Sequence, residues 1–130
     1  MEDLAEKVHN LGADVLKVAL TNTAPTAATD TGLASITQIS GAYGYTTGGT
    51  TSTISSSAQT SGTYKLVLAD VTFTASGGAM GPFRYAVLYN DTAASDQLIA
   101  YWDYGSSITL ADTETFTVDF SSSTGVLTLA

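Results

Sequence analysis

The chain has 130 residues, enough for one domain, and its lack of cysteine excludes disulfides, thiolate metal sites and a thiol nucleophile. Its formal net charge of −8 argues against a nucleic-acid partner, because phosphate binding needs clustered cations and the four Lys and Arg residues are scattered. No apolar run approaches the roughly 20 residues of a membrane span, and the acidic N-terminus is not a secretory signal. We therefore expect neither a nucleic-acid nor a membrane partner, and the acidity suits docking onto a basic protein surface.

Residues 1–12 predict a short N-terminal helix or arm. Leu4, Val8 and Leu11 are spaced as one apolar stripe of a helix, and Gly12 is placed to end it. A helix of about ten residues is not stable alone in water, so it should pack on its own domain or on a neighbouring subunit. The three stripe residues are therefore candidate interface residues.

Residues 13–130 predict a single all-β domain of about eight strands. Apolar and polar residues alternate in short runs, and turn signals separate the runs every ten or so residues. This pattern is typical of an antiparallel β-sandwich or jelly roll. The phase of alternation changes between Leu68 and Val71, which predicts a bend where the chain passes from one sheet to another.

The segment GAYGYTTGGTTSTISSS is rich in Gly and Thr and predicts a long mobile or contact loop that ends in an edge strand around Thr51–Ser56. Its aromatic residues, Tyr43 and Tyr45, are candidate interface residues. Tyr89, in the aromatic strand GPFRYAVLYND, is a further candidate of the same kind.

Arg84 lies in that same strand, between Phe83 and Tyr85. An arginine in this setting should be half buried, with its aliphatic stem on apolar surface and its charge paired. Asp103 and Asp70 are the candidate partners, and such a pair would fix strand register. The alternative is an arginine exposed at a subunit interface, where this residue type is enriched.

The residues predict no catalytic, metal or cofactor site. His9 is the sole histidine, and neither an H-x-x-x-H pair nor a G-x-S-x-G turn is present. Tyr101, Trp102 and Tyr104 would suit a sugar-binding platform, but only if Trp102 were exposed. Alternation places Trp102 on the same face as Leu98, so we expect it to be buried.

Three segments carry a resemblance to a known class of proteins: DVLKVALTNTAPT, TSGTYKLVLADVTFTASGGAMGPFRYAVLYNDTA and LIAYWDYGSSITLADTETFTVDF. They resemble small structural proteins of tailed bacteriophages, and among these most closely the head decoration, or cement, proteins. The resemblance spans about Leu4 to Leu129 and includes no catalytic signature.

The resemblance implies a non-enzymatic β-sandwich or jelly-roll protein without cofactors. Such a protein is made in the host bacterial cytoplasm, binds the capsid exterior of the virion and clamps neighbouring subunits of the major capsid protein, commonly as a homodimer or homotrimer. A tail-tube, tail-tip or fibre-associated role is the first alternative, and a carbohydrate-binding module is the second.

Overall fold

The computed structural model describes residues 2–130, which form an antiparallel all-β fold with a very short N-terminal helix. The predicted fold class is confirmed, with nine strands in the described residues where about eight were expected. The elements, in chain order, are α1 (Glu2–Ala5), β1 (Leu16–Thr21), a 3-10 turn (Leu33–Ser35), β2 (Thr50–Ser52), β3 (Ile54–Thr60), β4 (Thr63–Leu68), β5 (Val71–Thr74), β6 (Met80–Asn90), β7 (Leu98–Leu110), β8 (Thr115–Val118) and β9 (Leu127–Leu129).

The strands form three sheets around one core. A four-stranded sheet has the order β2-β1-β6-β7, a three-stranded sheet has the order β3-β4-β9, and β5 pairs with β8 alone. Apolar side chains of all three sheets meet in a single buried cluster, which gives the fold its sandwich-like arrangement. Its members include Leu16, Val18 and Leu20 of β1, Leu66 and Leu68 of β4, Phe73 of β5, and Phe83, Ala86 and Leu88 of β6.

The chain changes sheets where the alternation changes phase, as the sequence predicts. β4 pairs with β3 and β9, whereas β5, which begins three residues after Leu68, pairs with β8. The bend is held by the buried Ser52, whose hydroxyl donates to the Ala69 carbonyl oxygen at 2.8 Å. The next residue, Asp70, accepts a hydrogen bond at Oδ1 from the Phe120 amide at 2.8 Å.

The second face of the four-stranded sheet is also covered at β1 and β6. Ala19, Thr21 and Val87 alternate with the core residues of these strands, yet each is fully buried. The segment between β1 and β2 lies over them: the Thr21 hydroxyl donates to the Thr37 carbonyl oxygen at 2.6 Å, and Pro25 and Val87 line one small cavity. The central strands are therefore buried on both sides.

The N-terminal helix is much shorter than the sequence predicts. It ends at Ala5, and Lys7 has a φ of 65°, which breaks the helical path. The side chain of the buried Asn90 binds both His9 and Asp14, at 3.0 and 2.6 Å, and thereby holds the following segment against the end of the sheet. The predicted helix over residues 1–12 is wrong beyond Ala5, and the residues taken as its stripe do not share a helical face.

Candidate functional site

A solvent-open cleft of about 220 Å³ lies between β7 and the segment from β8 to Phe120. We call it the aromatic cleft. Its walls combine apolar rings with charged side chains, an arrangement typical of binding sites. The rings belong to Trp102, Tyr104, Phe116 and Phe120, and the charges to Arg84, Asp103 and Asp119.

A bulge in β7 shapes this cleft. Tyr85 is opposite Asp103 and Phe83 is opposite Ile108, so two steps along β6 correspond to five steps along β7. Gly105 lies within the bulge with a φ of 99°, a conformation that glycine adopts without strain. Because bulges bend a strand and re-aim its side chains, the regular alternation fails along this part of β7.

Edge-to-face ring contacts join the two walls of the cleft. Trp102 contacts Phe120 with ring centroids 5.4 Å apart, and Tyr104 contacts Phe116 at 5.6 Å. Trp102 nevertheless remains 37% exposed and Tyr104 58% exposed. The expectation that Trp102 is buried is wrong, because its ring lies at the open cleft and not in the closed part of the core. Tyr101 lies apart from both, edge-on to Tyr85 at 6.4 Å.

Arg84 and Asp103 form a bidentate ion pair at the cleft. Nε donates to Oδ1 at 2.7 Å and Nη2 donates to Oδ2 at 2.8 Å, while the guanidinium carbon lies 5.4 Å from the ring centroid of Tyr85. The hydrogen bonds from Arg84, aided by the Gly105 amide, lower the pKa of Asp103 to about 2. Hydrogen bonding to Asp103 raises the pKa of Arg84 in turn.

Both side chains of this pair are a little over one-third exposed, so Arg84 is partly buried. Of the two partners considered from the sequence, the structure brings Asp103 to Arg84. Asp70 lies instead at the bend after β4, where its carboxylate binds the Phe120 amide. The interpretation of Asp70 as a partner of Arg84 is therefore wrong.

Two of the three tyrosines taken as interface candidates are internal. Tyr45 is 3% exposed, and its hydroxyl donates to Gln38 Oε1 at 2.7 Å and accepts from the Leu20 amide at 3.2 Å. Tyr89 is 1% exposed, and its hydroxyl donates to the Gly48 carbonyl oxygen at 2.6 Å. Burial raises the pKa of both hydroxyls.

Tyr43, the third candidate, is 54% exposed and stays available to a partner. The predicted interface role of Tyr45 and Tyr89 is wrong. The segment between β1 and β2 folds back onto the sheet, and groups of this segment accept hydrogen bonds from both hydroxyls. Of the two tyrosines in that segment, Tyr45 is buried and Tyr43 is exposed.

The N-terminal interface candidates divide in the same way. Leu11 is 6% exposed and belongs to the core cluster, so its predicted interface role is wrong. Leu4 packs against that cluster and, like Val8, is only partly exposed. The N-terminal segment therefore packs on its own domain, one of the two arrangements that the sequence left open.

No family model matches the chain, and neither a curated protein nor a solved structure is significantly similar to it. Within residues 2–130, no group of three or more His, Asp or Glu side chains is placed to hold a metal ion. In the same part of the chain, no helix has the length and apolar character needed to cross a membrane.

Proposed function

We propose that this protein is a structural component of a tailed-bacteriophage virion, and specifically a decoration protein that binds the outer surface of the major capsid shell. The observation that carries the proposal is the cluster of Arg84, Trp102 and Tyr104 at the aromatic cleft. Arg, Trp and Tyr are the residue types that contribute most binding energy in protein interfaces. The resemblance of the strand segments to phage head proteins supports the same role.

The fold supplies what a cement protein needs. Strands buried on both faces form a rigid body, and a rigid body that binds only the assembled shell stabilises the shell by mass action. Repeated copies, or a homodimer or homotrimer, would add avidity across neighbouring capsid subunits. The net charge of −8 favours docking on basic patches of the major capsid protein.

Binding to undecorated capsids tests the proposal. We expect saturable binding of the purified protein to capsids. Because we propose Trp102 as an interface hot spot, Trp102→Ala should weaken the binding free energy by about 2 kcal/mol or more. Tyr101→Ala is the matched control, since Tyr101 is also exposed but does not line the aromatic cleft. Binding to isolated tails and not to heads would favour the tail-tube, tail-tip or fibre-associated alternative.

A carbohydrate-binding module is the second candidate, and the exposure of Trp102 and Tyr104 favours it. Exposed rings on a cleft wall can stack on the apolar face of a sugar. Saturable changes in tryptophan fluorescence on addition of sugars, without capsid binding, would support this candidate over the first.

A further inference from the structure

We propose that the aromatic cleft receives a single basic side chain, Lys or Arg, from the partner protein. The inference rests on the proposed function for the identity of the partner, whereas its chemistry is argued from the cleft itself.

The size of the cleft favours one side chain over a larger ligand. Its volume of about 220 Å³ lies below the range of roughly 300–1,000 Å³ typical of small-molecule sites. Its open mouth allows the remainder of a partner to stay outside. The cleft therefore suits an anchor residue projecting from a protein surface.

The walls suit the stem and the head of a basic residue. Trp102, Tyr104, Phe116 and Phe120 supply apolar rings for the aliphatic stem. Aromatic faces also attract cations, Trp most strongly, and Arg most often provides the cation. Arg84 already lies over the ring of Tyr85, beside this cleft, at 5.4 Å.

The charges of the cleft favour a cation over an anion or a neutral sugar. Arg84 and Asp103 neutralise each other through their two hydrogen bonds. The two ion pairs found within residues 2–130 do not include Asp119, so this cleft residue adds a negative charge without a compensating Lys or Arg. An incoming basic group would supply the compensation, whereas an anion would be repelled.

The chain offers a direct readout, because Trp102 is its only tryptophan. We would titrate the full-length protein with the peptide acetyl-Gly-Arg-Gly-amide and follow tryptophan fluorescence. The matched neutral peptide carries norleucine in place of Arg. Asp119→Asn is the test variant, and Glu6→Gln is the control that removes one exposed negative charge from a residue that does not line the cleft.

We expect a saturable, salt-sensitive fluorescence change with the Arg peptide, absent with the norleucine peptide. Binding should weaken about tenfold in Asp119→Asn, which corresponds to the loss of one charge-assisted contact, and should be unchanged in Glu6→Gln. Equal affinity of Asp119→Asn and the unaltered protein would overturn the inference. So would the absence of any response to the Arg peptide, or a saturable response to methyl glucoside in its place.

The peptide titration uses no capsid, so its result is independent of the capsid-binding test of the proposed function. Capsid binding that persists unchanged in Asp119→Asn, together with no peptide response, would contradict the inference alone. A peptide response without capsid binding would contradict the proposed function alone.

Discussion

Trp102 packs edge-to-face on Phe120, with ring centroids 5.4 Å apart and planes at 63°, and this contact joins β7 to the segment after β8. Phe120 is 7% exposed, whereas Trp102 is 37% exposed. The pair therefore marks the boundary between the closed core and the open aromatic cleft. One ring is a core residue, and the other presents its remaining surface to solvent.

Phe120→Leu should open the inner side of Trp102 to solvent. We expect a loss of about 1–2 kcal/mol in unfolding free energy and a larger acrylamide quenching constant for the single tryptophan. Phe73→Leu is the control, because Phe73 is 3% exposed in the core and does not line the cleft. It should cost a similar free energy and leave the quenching constant unchanged. Equal quenching changes in both variants would show that the Trp102–Phe120 contact does not shield the indole.

The Arg84–Asp103 pair predicts a specific loss of stability in acid. Hydrogen bonding by Arg84 lowers the pKa of Asp103 from its ordinary 3.8 to about 2 in the folded protein. A carboxyl with a lowered folded-state pKa stabilises the fold above its unfolded pKa, and this contribution disappears as pH falls from about 4 towards 2. The stability difference between the unaltered protein and Asp103→Asn, measured by urea denaturation, should therefore shrink between about pH 5 and pH 2.5. A difference that stays constant over this range would contradict the prediction.

The strands were predictable because their information is local. Alternation in the segments around Leu16–Thr21 and Val71–Thr74 reflects one side chain facing the core and the next facing away, whatever the rest of the chain does. The change of sheet after Leu68 was predictable for the same reason, since reversing the phase of alternation requires the chain to turn.

The surface was less predictable because it depends on distant segments. Tyr89 alternates as an outward residue of β6, and its burial follows from the β1–β2 segment, more than thirty residues earlier in the chain, placing the Gly48 carbonyl over it. Trp102 alternates as an inward residue and is opposite the core residue Ala86, yet it stays 37% exposed because its ring lies at the open cleft, with Phe120 on one side. The bulge around Gly105 follows Asp103 and changes the course of β7 only beyond Trp102. Neither the folded-back loop nor the bulge leaves a periodic signal, although the Gly105 position in an aromatic strand was a cue for a bulge.

Removing the Tyr89 hydroxyl should destabilise the fold measurably. Tyr89→Phe leaves the Gly48 carbonyl without its donor in a partly buried site, at a cost of about 1–3 kcal/mol. Tyr43→Phe makes the same chemical change at a side chain that is 54% exposed, and we expect a change within about 0.5 kcal/mol. Urea denaturation of the two variants measures both values. Similar small changes in both would mean that water replaces the lost donor at Gly48.

The Asn90 side chain forms four hydrogen bonds, and the two made by its Nδ2 hold the N-terminal segment. Its Nδ2 contacts His9 Nδ1 at 3.0 Å and donates to Asp14 Oδ2 at 2.6 Å, and its Oδ1 accepts from the amides of Thr92 and Ala93. Since Nδ2 can only donate, His9 Nδ1 is the acceptor and the proton of the neutral ring lies on Nε2. Asn90 thus joins the end of β6 to the chain before β1.

Breaking this network should release the N-terminus. Asn90→Ala removes four part-buried hydrogen bonds at once, so we expect a loss of about 3 kcal/mol and faster amide hydrogen exchange over residues 2–14. Asn22→Ala, at an exposed position, is the matched control and should change stability by less than about 0.5 kcal/mol. Global destabilisation without faster exchange in that segment would contradict the anchoring role.

His9 should make the same anchor sensitive to pH. Burial lowers its pKa below the ordinary 6.5, although the nearby Asp3 and Asp14 oppose this effect. The unfolded chain therefore takes up the proton more readily than the folded chain, and stability should fall as pH drops below about 6.5. Protonation at Nδ1 would also remove the acceptor for Asn90, which acts in the same direction. His9→Gln removes the titrating group, so its unfolding free energy should vary less than that of the unaltered protein between about pH 7 and pH 5. Identical pH profiles for the two proteins would show that His9 does not couple protonation to folding.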